Sequence, residues 1–125
     1  MSNSTDGRIE SPFACDMTAI EVSQRGRHIA TIDELFRAVE EIRELSNGYA
    51  FRLPNESDVL VKAAKFIALE RLCCPFFGLT LEAEPEVGSL WLSLTGREGV
   101  KPFIVAEIGH HLTKPLAVSI SDVQQ

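Results

Sequence analysis

No apolar run in this 125-residue sequence approaches the length of a membrane-crossing helix. The opening residues, MSNSTDGRIESPFAC, also lack the apolar stretch of a secretory signal. The expectation is a cytoplasmic protein with no membrane contact. Basic residues are outnumbered: 12 Lys and Arg stand against 18 Asp and Glu, for a net charge of −6, and they are spread along the chain. Nucleic-acid binding requires a basic face to meet the phosphates, so that class is excluded. Cysteine is scarce as well. Three cysteines, an odd number, in a reducing compartment argue against a structural disulfide framework. Phosphate-loop spacing, a Ser-His-Asp order and paired catalytic carboxylates are all missing, which removes the commonest hydrolase and nucleotide-binding readings.

What is present reads as one ordinary globular domain. Apolar residues make up 45% and charged residues 24% of a chain long enough to bury a core without metal or crosslinks. Residues 1–14 are polar, with Gly7 and Pro12, and are expected to be a flexible N-terminal segment. Residues 15–112 form the domain and 113–125 a C-terminal tail with the option of a short strand.

The pattern predicts an α+β fold: a small antiparallel sheet of three strands, with a fourth as an option, and helices packed on one face in the order α-β-α-β-β-α. Thr18 with Glu21 and Thr31 with Glu34 fit helix capping boxes, and Ile29, Ile32, Leu35, Phe36, Val39 and Ile42 recur at helical spacing. They predict one helix over 19–46, or two broken near Thr31, closed by a C-cap at Asn47-Gly48. Glu40, Glu41 and Glu44 would be its solvated face. Tyr49, Phe51 and Leu53 alternate as a strand. A helix over 56–73 follows, apolar around most of its circumference, with a narrow wet edge at Asp58, Lys62 and Lys65; Pro75 stops it. Strands at 77–83 and 89–95 pair as a hairpin, and a last helix over 98–112 holds Pro102 in its first turn. Trp91, on the strand face opposite Leu90 and Leu92, either packs, lines a pocket or forms the contact of a homodimer.

The chemistry-bearing stretch is ALERLCCPFFGL, residues 68–79. Glu70 precedes Cys73 by three residues and Cys74 by four, so all three share one helix surface. Glu70 falls inside the apolar arc, where a carboxylate needs a partner; Arg71 and Arg52 are the sequence candidates. Vicinal thiols beside such a carboxylate suit a soft metal or metalloid, which prefers thiolate to oxygen or nitrogen. Cys15, followed by Asp16, supplies a third sulfur if the N-terminal segment folds back over the helix end. Against this, cysteines often simply pack, and a helix C-terminus opposes a thiolate. Adjacent His110-His111, with Glu107 on the same face, are a weaker ligand candidate, and His28 is isolated in sequence.

ERLCCPFF, with GYAFRLP before it and LWLSLTGREGVKPF after it, resembles a group of short bacterial proteins of unassigned activity. These share a Glu-Arg-x-Cys-Cys-Pro-Phe motif and a Leu-Thr-Gly-x-Glu-Gly-Val-Lys segment. The likeness runs from Cys15 to Ile108 and implies a bacterial, single-domain protein; it carries no cofactor or mechanism. Three functions therefore stay open. The first is a thiol-dependent binder of a soft metal or metalloid at Cys73, Cys74 and Cys15, supported by Glu70, Asp16 and Arg71. The second is a thiol enzyme with Glu70 as proton shuttle, and the third an interaction module whose cysteines only pack.

Overall fold

A computed structural model of the chain describes residues 12–116. Its elements are α1 (Val22–Arg37), β1 (Glu41–Leu45), β2 (Gly48–Leu53), α2 (Ser57–Cys73), β3 (Gly78–Ala83), β4 (Leu90–Thr95) and α3 (Val100–Ile108), with 3-10 turns at Met17–Ala19 and Gly109–His111. The fold is α+β, as the pattern predicts, and the sheet has four strands in the order β1-β2-β4-β3, all antiparallel.

Strand alternation builds the inner face in rows. Tyr49 pairs with Leu94 and Leu94 with Leu79; Phe51 pairs with Leu92 and Leu92 with Leu81. Helices cover this face. Phe36 of α1 meets Phe51 edge-on at 5.2 Å and Phe66 of α2 at 5.4 Å, so one aromatic ring locks both helices to the sheet. On the opposite face Trp91 is buried beneath the Arg43 guanidinium, 4.1 Å from the ring centroid. It is therefore packed within the chain.

Three expectations are corrected. The first helix ends at Arg37, and residues expected to continue it form β1, which pairs residue for residue with β2. Ser46 and Asn47 form a two-residue turn between the paired residues Leu45 and Gly48, so Gly48 begins β2 rather than capping a helix. Gly48 is required at that corner, since a Cβ on it would collide with the Leu94 carbonyl oxygen. Glu40 and Glu41 consequently meet Arg52 across the hairpin, at 3.5 and 3.2 Å, instead of facing solvent on a helix. Second, neither threonine caps α1. Asp16 caps the preceding turn by accepting from the Thr18 amide, Glu21 is the N-cap residue, and Thr31 lies within the helix. Third, α2 is less buried than its composition suggests. It buries the single stripe Ala63, Phe66, Glu70 and Cys73, while Val61 is 53% and Leu72 41% exposed.

Pro102 does sit in the first turn of α3, entered through Gly99, whose φ of 98° is a left-handed conformation suited to glycine. Of the N-terminal segment, residues 1–11 lie outside the described residues, and so do 117–125 of the tail. Phe13 packs edge-on against Phe76 at 5.2 Å and stacks on Phe103 at 5.9 Å. Among the described residues no helix is long and apolar enough to cross a membrane.

Candidate functional site

The site forms where the C-terminal end of α2 meets α1 and the returning N-terminal segment. Pro75 forces the chain out of the helix after Cys74, whose φ of −127° is already non-helical. This leaves the carbonyl of Cys73 free of the helical ladder, and the Asp16 amide donates to it at 2.8 Å. That backbone bond brings the N-terminal segment over the helix end and places Cys15 against Cys74. Cys15 and Cys74 are joined by a disulfide, with Cα atoms 4.7 Å apart and a sequence separation of 59. The expectation of unpaired cysteines is overturned for these two. The cause is the fold-back, which is a tertiary contact that no local pattern encodes.

Cys73 is the free cysteine, and it is buried. Its sulfur lies 3.7 Å from Cys74 Sγ and 3.6 Å from Glu70 Oε1, to which it donates. Burial comes first, and the Glu70 carboxylate second, in pushing this thiol up to about 12 from its ordinary 9.0. The Cys73 sulfur is thus held protonated, in line with the position of a thiol at the negative end of a helix.

Glu70 is 4% exposed, inside the apolar arc as its spacing predicts. Its partner is neither Arg52 nor Arg71. Arg52 is engaged with Glu40 and Glu41, and Arg71 is exposed. The partner is His28 of α1, whose Nε2 lies 2.9 Å from Glu70 Oε1. The imidazole stacks on Phe66 at 5.9 Å and is 1% exposed, and its Nδ1 has no hydrogen-bond partner among the described residues. His28 is the residue that sequence reasoning missed. It lies 42 positions from Glu70, and the one usable signal is its place seven residues before Leu35, on the same face of α1.

Ligand atoms therefore converge in two overlapping groups. His28, Glu70 and Cys73 offer an imidazole nitrogen, a carboxylate oxygen and a sulfur within 4.8 Å of one another, and the bonded sulfurs of Cys15 and Cys74 lie as close to a Glu70 oxygen. Asp16 stands at the rim. Its carboxylate is held below the usual range by hydrogen bonds from the Thr18 hydroxyl and amide, so it serves as a cap. His111 is tied to Asp33, Nδ1 to Oδ1 at 3.1 Å, and its ring lies 4.1 Å from that of His110. Chemically the arrangement holds one protonated thiol, a disulfide that can yield two more, a carboxylate that accepts the thiol's hydrogen bond and an imidazole behind it. Compared with protein-family profiles, curated proteins and solved structures, the chain finds no match.

Proposed function

We propose that this protein is a thiol-dependent binder of a soft metal or metalloid ion. Its sulfurs are those of Cys73 and, once the Cys15–Cys74 bond is reduced, of Cys74 and Cys15, and Glu70 and His28 stand behind them. The observation that carries this reading is the convergence of three sulfurs on one buried carboxylate–imidazole pair, from α1, α2 and the N-terminal segment. Packing alone asks only for small apolar side chains at the end of α2; it does not ask for a carboxylate and an imidazole beside them. Soft ions select thiolate donors, and an adjacent nitrogen or oxygen completes a mixed set.

The raised Cys73 pKa is compatible with this role. A bound cation reverses the local electrostatics, displaces the thiol proton and makes uptake release protons. In a reducing cytoplasm, which the sequence leads one to expect, the disulfide opens and the full three-sulfur set becomes available. A second reading has one specific observation in its favour: Glu70 Oε1 sits 3.6 Å from the Cys73 sulfur with His28 behind it. That is the order of groups a thiol enzyme would use to move a proton.

Native mass spectrometry of the reduced, desalted protein after mercuric or arsenite challenge tests the binding reading. One ion per chain is expected, lost in a Cys73→Ser, Cys74→Ser double variant that keeps its circular dichroism spectrum. No uptake below millimolar ion, or unchanged uptake in the variant, refutes it.

A further inference from the structure

Beside the sulfurs lies an open-mouthed cavity of ≈ 360 Å³, within the range of about 300–1,000 Å³ typical of small-molecule sites. Met17, Ile32, Phe77 and Ile108 line it together with Cys73 and Glu70, and Glu107, His110 and His111 add polar groups to the lining. Ile29, 54% exposed, stands among its lining residues. Such a chamber is superfluous to a bare ion, which needs only its donor atoms and is better served by several thiolates. The disulfide sharpens the point. With Cys15 bonded to Cys74, Cys73 is the free sulfur facing this space, and it has a carboxylate rather than a second thiol at its side. One sulfur beside a chamber with an apolar patch of Met17, Ile32, Phe77 and Ile108 matches a cation with a single open coordination position and an apolar substituent.

We propose that, in the disulfide form, this cavity receives the organic group of a monovalent organometal cation whose metal is taken by Cys73 Sγ. The proposal rests on the soft-metal reading of the same cluster and names the class of ligand. In the binding step the S–H bond of Cys73 and the bond from metal to its departing ligand break, and the sulfur–metal bond forms. The departing ligand leaves with its electron pair, the thiol proton passes to the Glu70 carboxylate at 3.6 Å, and no atom changes oxidation state. The organic group settles against Met17, Ile32 and Phe77, where it leaves water.

The test offers limiting full-length protein, in its disulfide form, an equimolar excess of phenylmercury and methylmercury, and reads the ratio of the two adducts by native mass spectrometry. The same protein unfolded in urea gives the reference ratio for a sulfur without a cavity. Because a phenyl ring removes more apolar surface from water than a methyl group, the folded ratio should exceed the unfolded one on the order of tenfold. Cys73→Ser should lose both adducts. Ile32→Asp should return the ratio toward the unfolded value, and Ile29→Asp, at an exposed position that tolerates charge, should do so more weakly if the first variant does not fold. Equal ratios in folded and unfolded protein, or adducts that survive Cys73→Ser, overturn the proposal. If reduced protein still takes one mercuric ion in that case, only the cavity assignment falls; if neither the bare ion nor the organic cations bind, the soft-metal reading falls with it.

Discussion

Among the described residues two buried nitrogen-bearing side chains, Lys101 and His28, meet carboxylates, and they are completed differently. At the far end of the sheet, Lys101 is 6% exposed; its Nζ donates to Glu44 Oε2 at 2.7 Å and to the Leu45 carbonyl at 2.8 Å, and it lies 5.5 Å from the Tyr49 ring centroid. Its cost of burial is met by a carboxylate, a backbone acceptor and an aromatic face, and the pair ties α3 to β1. At the thiol end, His28 meets Glu70 at 2.9 Å, but Nδ1 is left without a partner among the described residues and the carboxylate is shared with a thiol. Polar groups that only hold a fold together tend to be saturated. An incompletely satisfied cluster beside a cavity is where binding or chemistry is to be sought.

The largest effect that would sharpen this contrast comes from opening the thiol end. Cys15→Ser removes a crosslink spanning 59 residues, and the loop entropy returned to the unfolded chain is about 4 kcal/mol. Thermal melts with and without reductant should differ for the natural sequence and coincide for the variant. A natural protein whose melting ignores reductant would mean that the crosslink contributes nothing to stability.

A matched pair of variants tests the contrast itself. Lys101→Met removes charge-assisted hydrogen bonds at the saturated end and should cost about 2–3 kcal/mol, leaving alkylation of Cys73 by iodoacetamide unchanged. Glu70→Gln should cost about 1–2 kcal/mol and also speed alkylation at pH 8, because the carboxylate is one of the causes that push the Cys73 thiol up to about 12. The sign of the pH dependence follows from the same shift. Folding raises this thiol's pKa, so on alkaline titration the unfolded chain gives up its proton first. The stability held below pH 9.0 is then lost as pH rises toward about 12. Cys73→Ala should flatten that decline. Equal alkylation rates in natural and Glu70→Gln protein would make the thiol end as purely structural as the lysine end.

How much of this was legible in the sequence divides along the same line. Period-two alternation placed β2, β3 and β4, Pro75 stopped α2, and the helical wheel put Glu70 inside, because each of these is a local rule acting on neighbouring residues. The thiol cluster is assembled by distant contacts. His28 reaches Glu70 through the packing of α1 on α2, and Cys15 reaches Cys74 through one backbone bond from Asp16 to Cys73; neither partner is set by spacing. The miss over β1 is of another kind. Ile42 fits both a helical and an alternating period, and Gly48, expected just beyond a helix, begins β2 after the Ser46-Asn47 turn.

The smallest expected effect concerns Arg71, the neighbour of Glu70 and one of the two cations that the sequence offers as its partner. Adjacent helical positions point about 100° apart, so a residue next to a buried one is turned away from its surroundings. Arg71 is exposed accordingly, while Glu70 is satisfied by an imidazole from the facing helix. Its location in the last turn of α2 allows a favourable interaction with the negative helix end, worth about 0.3–1 kcal/mol at low salt and screened as salt rises. Arg71→Ala should therefore lower stability by no more than about 0.5 kcal/mol in 0.15 M salt, with the alkylation profile of Cys73 superimposable on that of the natural protein. A larger loss, or a displaced profile, would place the guanidinium in the Glu70 network and replace the His28–Glu70 pair by a three-membered charge cluster.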